Sequence, residues 1–226
     1  MEKDSNYRRL ESLKNLYENY IPTDNPNFDL KQLETSYKFS KEGQAIPEIK
    51  LNDRFRFNNL IFDLDDTLYS KTEQLGDDYS FEDIDNINIP IEEIDYLKDL
   101  SEKNNMYIVT KGDETLQRRK IEVLGLEDIF TKENIHIVPL KEDKKEIFKE
   151  ITKDTPGIKT YIIGDRIDSE IQYGNEMGLE TIRIMKGKYS EMTPQIPEQE
   201  PNYEIFEIIN LDYILYNNKF FDEDLA

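Results

Sequence analysis

Asn59-Leu60-Ile61-Phe62-Asp63-Leu64-Asp65-Asp66-Thr67-Leu68 decides how this chain is read. The apolar run Leu60-Ile61-Phe62 has the character of a buried strand, and three carboxylates follow it within four positions. An open α/β sheet binds its ligands outside the carboxyl ends of its strands, so these acids stand where chemistry is expected. Asp63 and Asp65 share a parity along the chain and can face one site, while Asp66 is turned away. Two carboxylates a few Å apart repel by roughly 4 kcal/mol at an effective dielectric near 20. A positive group, most simply a metal ion, is therefore expected between them. Taken alone, the stretch is equally compatible with an acidic turn after a strand.

Outward from this stretch, apolar runs alternate with helical patterns. The segment after Thr67 is acidic and turn-rich as far as Pro90. A helix is expected over Ile91–Leu100, then a strand Met106–Val109 ending in Thr110-Lys111-Gly112-Asp113. A helix over Glu114–Leu124, a strand Ile135–Val138 and a lysine-rich helix Lys144–Thr152 come next. A fourth strand, Thr160–Ile163, ends in Gly164-Asp165, and a helix to Met177 leads to a fifth strand, Thr181–Met185. Strands alternating with helices of this length argue for a parallel sheet covered on both faces. Residues 1–57 show no obvious strand run. Leu10, Leu13, Leu16, Tyr17 and Tyr20 suggest an amphipathic helix, and Phe28, Leu30, Leu33, Tyr37 and Phe39 a weaker second segment. The expected organisation is a mostly helical extension over 1–57, an α/β domain over 58–216 and a charged tail over 217–226. The extension is expected to pack on the main domain or a partner, or to select substrate.

Composition narrows the function. The chain has 226 residues, 37% hydrophobic and 35% charged, with a net charge of -20. A surface this acidic weighs against nucleic-acid backbones and anionic membranes as partners. The absence of cysteine excludes disulfides, zinc–thiolate sites and thiol nucleophiles. No apolar run reaches the roughly 20 residues that span a bilayer. The N-terminus carries no apolar signal segment, so a soluble cytoplasmic protein is expected.

Four strand ends carry groups able to touch a phosphate or a cation: Asp63 and Asp65, Thr110, Lys141, and Asp165. In a parallel sheet these ends lie along one edge. A carboxylate attacking a phosphate dianion meets like-charge repulsion, so the site calls for a divalent cation held by oxygen ligands and a lysine. Thr110, with the amide of Lys111 before flexible Gly112, could hold the transferring oxygens. The inventory matches phosphoryl transfer through an aspartyl-phosphate.

These motifs, Phe62-Asp63-Leu64-Asp65-Asp66-Thr67-Leu68, the Thr110 strand end, a following lysine and Gly164-Asp165, resemble the four motifs of the haloacid dehalogenase-like (HAD) hydrolase superfamily, in that order. Val109-Thr110-Lys111-Gly112-Asp113 with Gln117-Arg118-Arg119-Lys120-Ile121 resembles one hydrolase branch of it. The resemblance implies a Rossmann-like, doubly wound parallel sheet of strand order 5-4-1-2-3 and a magnesium-dependent phosphatase. It makes Asp63 the nucleophile and Asp65 the general acid and base, with the Asp65 carbonyl on Mg2+. Thr110 would bind phosphate, and Asp165 would ligate the metal. The motif lysine is expected to be Lys141, with Lys144 as the alternative and otherwise a substrate contact. Glu170 stands as a longer substitute for the family's second acid and metal ligand. Asp168 is expected to orient Arg166 or cap a helix.

The short intervals after Thr67 and Thr110 hold no independent cap domain, so a minimal-cap member is expected, open to a phosphorylated small molecule or a phosphoprotein. His136 is expected to be a core or sheet-surface residue, Arg118-Arg119-Lys120 a solvated helix face. A phosphotransferase of the same fold would use the same residues, and a catalytically quiet module binding a phosphorylated ligand or partner is the alternative of another class. A receiver-type domain fits poorly, because its acceptor acid lies on a later strand.

Overall fold

The computed structural model describes residues 33–39, 45–51 and 58–215. The chain divides into two compact units, Met1–Phe55 and Arg56–Ala226. In the first, strands β1 (Leu33–Phe39) and β2 (Ala45–Leu51) pair antiparallel, with Leu33 opposite Leu51 and Phe39 opposite Ala45. This corrects the expectation of no strand in that segment. Leu33, Thr35, Tyr37 and Phe39 recur at period two, a strand pattern that their neighbours Phe28 and Leu30 obscure. The expected helix after Tyr7 lies outside the described residues.

The second unit is built on six strands: β3 (Asn58–Phe62), β4 (Asn105–Lys111), β5 (Ile135–Val138), β6 (Lys159–Gly164), β7 (Glu180–Ile184) and β8 (Tyr203–Ile205). They pair in the order β5-β4-β3-β6-β7-β8, and every pairing is parallel. Five of them give the order expected from the sequence. The sixth, β8, extends the sheet beyond β7, past the last strand expected from the sequence. Strand β3 is thus the third from one edge, flanked on both sides.

Side chains of β3 alternate between two layers. Leu60 and Phe62 enter a large core with Leu97 and Leu100 of helix α2 (Ile91–Lys103) and Ile121 of helix α3 (Glu114–Val123). Here the Phe62 and Phe130 rings meet edge to face, centroids 5.9 Å apart. Ile61 points the other way, into a smaller cluster with Val109, Ile162 and the Phe148 and Ile151 side chains of α4 (Lys145–Asp154). Apolar faces on both sides account for the continuous apolar runs of these strands. Asn59, the polar exception, is buried and satisfied, donating to Thr160 Oγ1 and Thr155 Oγ1 and accepting from Asn105.

Two further features position the site. Asp113 caps α3, its carboxylate accepting from the amides of Thr115 and Leu116 at 2.9 and 3.1 Å. After Asp165 the chain makes one π-helical turn, Ile167–Ile171, before α5 (Gln172–Glu176). Between Thr67 and α2 lie only a one-turn helix, α1 (Lys71–Gln74), and a 3-10 turn at Glu82–Asn86, so no cap domain is present there. Among the described residues, no helix is long and apolar enough to cross a membrane.

Candidate active site

The carboxyl ends of β3, β4 and β6 bring Asp63, Thr110 and Asp165 to one edge of the sheet. Asp63 is held at the end of β3 by its own amide, which donates to the Ile163 carbonyl at 2.9 Å and so continues the β3–β6 ladder. Its carboxylate is buried and accepts from Lys144 Nζ at 2.5 Å. The same ammonium donates to Glu170 Oε1. Lys144, immediately before α4, is 3% exposed. Burial pushes the Asp63 carboxyl up to about 6, with Lys144 opposing that shift and Glu170 adding to it. For Lys144 burial disfavours the charged form, but Asp63 and Glu170 outweigh it and hold the ammonium above its usual range.

Lys144, not Lys141, therefore occupies the place of the motif lysine. Lys141 lies exposed on the turn after β5, and two exposed residues, Glu142 and Asp143, separate it from the buried Lys144. Glu170 reaches Lys144 because of the π turn, in which the Ile171 amide bonds to the Arg166 carbonyl five residues back. Gly164 makes room for it: a Cβ there would stand 2.7 Å from Glu170 Cγ.

Asp65 is served by different partners. Lys120 Nζ lies 2.9 Å from both of its oxygens, Tyr69 donates its hydroxyl at 2.8 Å, and Gln117 Nε2 approaches at 3.4 Å. One positive group was expected between Asp63 and Asp65. Instead each carboxylate has its own lysine, and Glu170 raises Asp63 more than Asp65 does. Lys120 is 1% exposed, which corrects its assignment to a solvated face. Arg118 and Arg119 do stay on the surface, paired with Glu114 and with Asp85 and Glu122. Gln117 and Lys120 share the buried stripe of Ile121 and Leu124, and that helical phase was the available signal. Tyr69 carried none.

Thr110 is buried and accepts from Gln117 Nε2 at 2.8 Å, which ties the second strand end to the Asp65 cluster. The Lys111 side chain points to solvent. Gly112 is not a free anion donor, since its amide is committed to the Val138 carbonyl at 3.0 Å. Its lack of a side chain matters for packing, because a Cβ would meet Gln117 Cγ at 3.0 Å. Asp66, in the left-handed region at φ 54, accepts from the amide and hydroxyl of Thr72 and so fastens α1. Asp168 grips Arg166 in a bidentate pair at 3.0 Å, and His136 is half-buried on β5, its imidazole shifted down by burial.

A divalent cation was tested against this arrangement. Among the described residues, no three acidic or histidine side chains form a ready-made cage. The available donors are nonetheless all oxygens, and they are in surplus. Asp63, Asp165 and Glu170 are buried with one ammonium among them, and Glu170 Oε2 has no partner. Burial, then Asp63, Glu170 and Asp66, push the Asp165 carboxyl up to about 9. Excess buried negative charge on hard oxygen donors suits a cation such as Mg2+. The Asp65 carboxylate is engaged by three donors, which leaves its main-chain carbonyl as the group it could offer such a cation.

Comparison with known proteins agrees with this fold. A family model described as HAD-hydrolase-like matches residues 144–210, from the site lysine through the Asp165 loop to the last strand. The chain is 32% identical over 126 residues to the HAD-hydrolase YfnB of Bacillus subtilis, covering 54% of this chain and 52% of YfnB. It is 32% identical over 101 residues to a glyceraldehyde 3-phosphate phosphatase of Methanopyrus kandleri, 43% of each protein. The chain thus spans about half the length of the curated relatives it matches. Among solved structures, magnesium-bound YfnB aligns with a TM-score of 0.53 and 19% identity, over 71% of this chain and 99% of that one. A HAD-like protein of Streptococcus pneumoniae aligns at 0.54 and 16% identity, over 70% of this chain and 98% of that one. With its parallel sheet and its motif residues gathered at one edge, the chain is similar to members of the HAD superfamily.

Proposed function

We propose that this protein is a magnesium-dependent phosphomonoester hydrolase working through an aspartyl-phosphate on Asp63. The observation that carries the reading is the pairing of two differently served carboxylates, Asp63 on Lys144 and Asp65 on Lys120, at one sheet edge beside Thr110 and Asp165. An oxygen of Asp63 attacks phosphorus while the bond to the leaving alcohol breaks, and Asp65 gives that alcohol a proton. Water then attacks the phosphorus of the acyl phosphate, Asp65 takes its proton, and inorganic phosphate leaves with Asp63 restored. Lys144 offsets the charge of the nucleophile, and the Thr110 hydroxyl and Lys111 amide hold the transferring oxygens. Asp63, Asp165 and the Asp65 carbonyl would hold the cation, which supplies charge neutralisation for the phosphate dianion. The Methanopyrus relative's name favours a small phosphorylated metabolite over a phosphoprotein, and the short segment after Thr67 suits a minimal-cap enzyme.

The test is phosphate release from an aryl phosphate and a panel of phosphometabolites, with magnesium or with chelator. Wild type should turn over at least one of them only with magnesium. Asp63→Asn should lose at least about 10³-fold in rate, as removal of a covalent nucleophile does. Activity that survives this substitution overturns the nucleophile assignment, and no turnover of any ester overturns the reading.

A further inference from the structure

Lys120 is the most deeply buried ammonium in the site, and nothing in the chemistry above uses it directly. It lies on α3, whose first turn is fixed by the Asp113 cap, and it reaches Asp65 through both oxygens at 2.9 Å. Its other side faces the Tyr79 ring, 5.2 Å from the centroid. Lys71 approaches the same ring at 5.4 Å. Arg119, one residue before Lys120, binds Asp85 at 2.6 Å. Helix α3 thus grips the segment between α1 and α2 at two points, and one of those points is also the seat of Asp65.

We propose that Lys120 is the positioning residue of the proton-transfer carboxylate, aiming Asp65 at the leaving oxygen. This rests on the phosphomonoesterase reading above. The geometry is specific to that task. A lone pair–ammonium contact to one oxygen would leave the carboxylate free to rotate, whereas contact with both fixes its plane. Tyr69, whose phenol is kept protonated by burial and by Asp65, adds a second fixed donor. The Tyr79 ring, its centroid 5.2 Å from the ammonium, gives Lys120 a further contact that restrains it.

Only a leaving group that needs protonation depends on this device. The experiment compares kcat/KM for a nitrophenyl phosphate, which leaves as a stable phenolate, with that for a simple alkyl phosphate, which does not. The magnesium-loaded full chain is used as wild type, Lys120→Met, Asp65→Asn and the double variant. Lys120→Met should lose about 100-fold on the alkyl ester, in the range of general acid catalysis, and less than about 5-fold on the nitrophenyl ester. In the Asp65→Asn background the same change should cost less than about 3-fold, because the group it acts through is gone. Equal losses on both esters, or full additivity with Asp65→Asn, overturn the positioning role and leave the phosphatase reading intact. A wild type inactive on every ester overturns both. Should Lys120→Met fail to fold, Tyr69→Phe carries the test: a loss confined to the alkyl ester supports the cradle, and a uniform loss overturns it.

Discussion

Two lysine–carboxylate pairs stand side by side in this site and are built to opposite specifications. Lys144 is shared between Asp63 and Glu170, and all three are nearly inaccessible to water. Lys120 serves Asp65 alone, and that carboxylate keeps 29% of its surface exposed. The difference suits the tasks proposed for the two acids. A nucleophile gains reactivity from losing its water shell and must still be kept ionised, so it lies deep with a cation at hand. A group that gives a proton to an alcohol and then takes one from water must meet solvent, so its lysine lies deep but the acid does not.

Removing each lysine would separate these cases most sharply. Lys144→Met leaves Asp63 and Glu170 buried without a cation, and breaking a buried pair in this way costs about 3–5 kcal/mol. Lys120→Met leaves an acid that water can reach and puts an apolar side chain in a dry slot, so the expected loss is about 1 kcal/mol. Urea unfolding in chelator measures both, and equal losses would erase the distinction between the pairs.

The next largest effect concerns pH. Asp63 and Asp165 have folded-state carboxyls raised to about 6 and about 9, above their unfolded values. The folded chain then binds more protons than the unfolded one, and stability falls as pH rises from about 4 to about 9. Chelated protein should show a thermal midpoint that drops across this window. Added magnesium should restore more at pH 8 than at pH 5, since it competes with fewer protons. A flat midpoint in chelator would mean that the Asp63 side is less desolvated than its burial implies.

Smaller effects test the supports. Gly164→Ala forces a methyl against the Glu170 stem and should cost about 1–3 kcal/mol in denaturation. Arg118→Met, two residues before Lys120 but paired only on the surface with Glu114, should change stability by less than about 0.5 kcal/mol.

Arg118, Arg119 and Lys120 also show how much of the site was legible in advance. Asp63, Asp65, Thr110 and Asp165 follow apolar runs, and the parallel order of those runs suffices to bring them to one edge. Lys120 is chemically indistinguishable from its neighbours in the sequence, and only its phase with Ile121 and Leu124 marks it as buried. Lys141 and Lys144 both follow β5 with only two residues between them, and the choice depends on how that turn folds, which no periodicity encodes. In the fold, the central strands declared themselves by unbroken apolar runs. Edge strand β8, three residues long with Glu204 at its middle, and the β1–β2 hairpin did not, because short or partly polar strands take their pairing from neighbours rather than from their own pattern.

The widened turn at Ile167–Ile171 has a consequence for how this loop can vary in length. Deleting one residue there would let the backbone settle into regular four-residue bonding, a local gain in helix. It would also rotate everything beyond the deletion by about 100° about the helix axis, a single residue's step. Glu170 would swing off Lys144, and Ile171, which is wholly buried, would be driven out of the core. Insertions and deletions in this stretch are therefore constrained by an angle, and the loop can change its residues far more freely than its count.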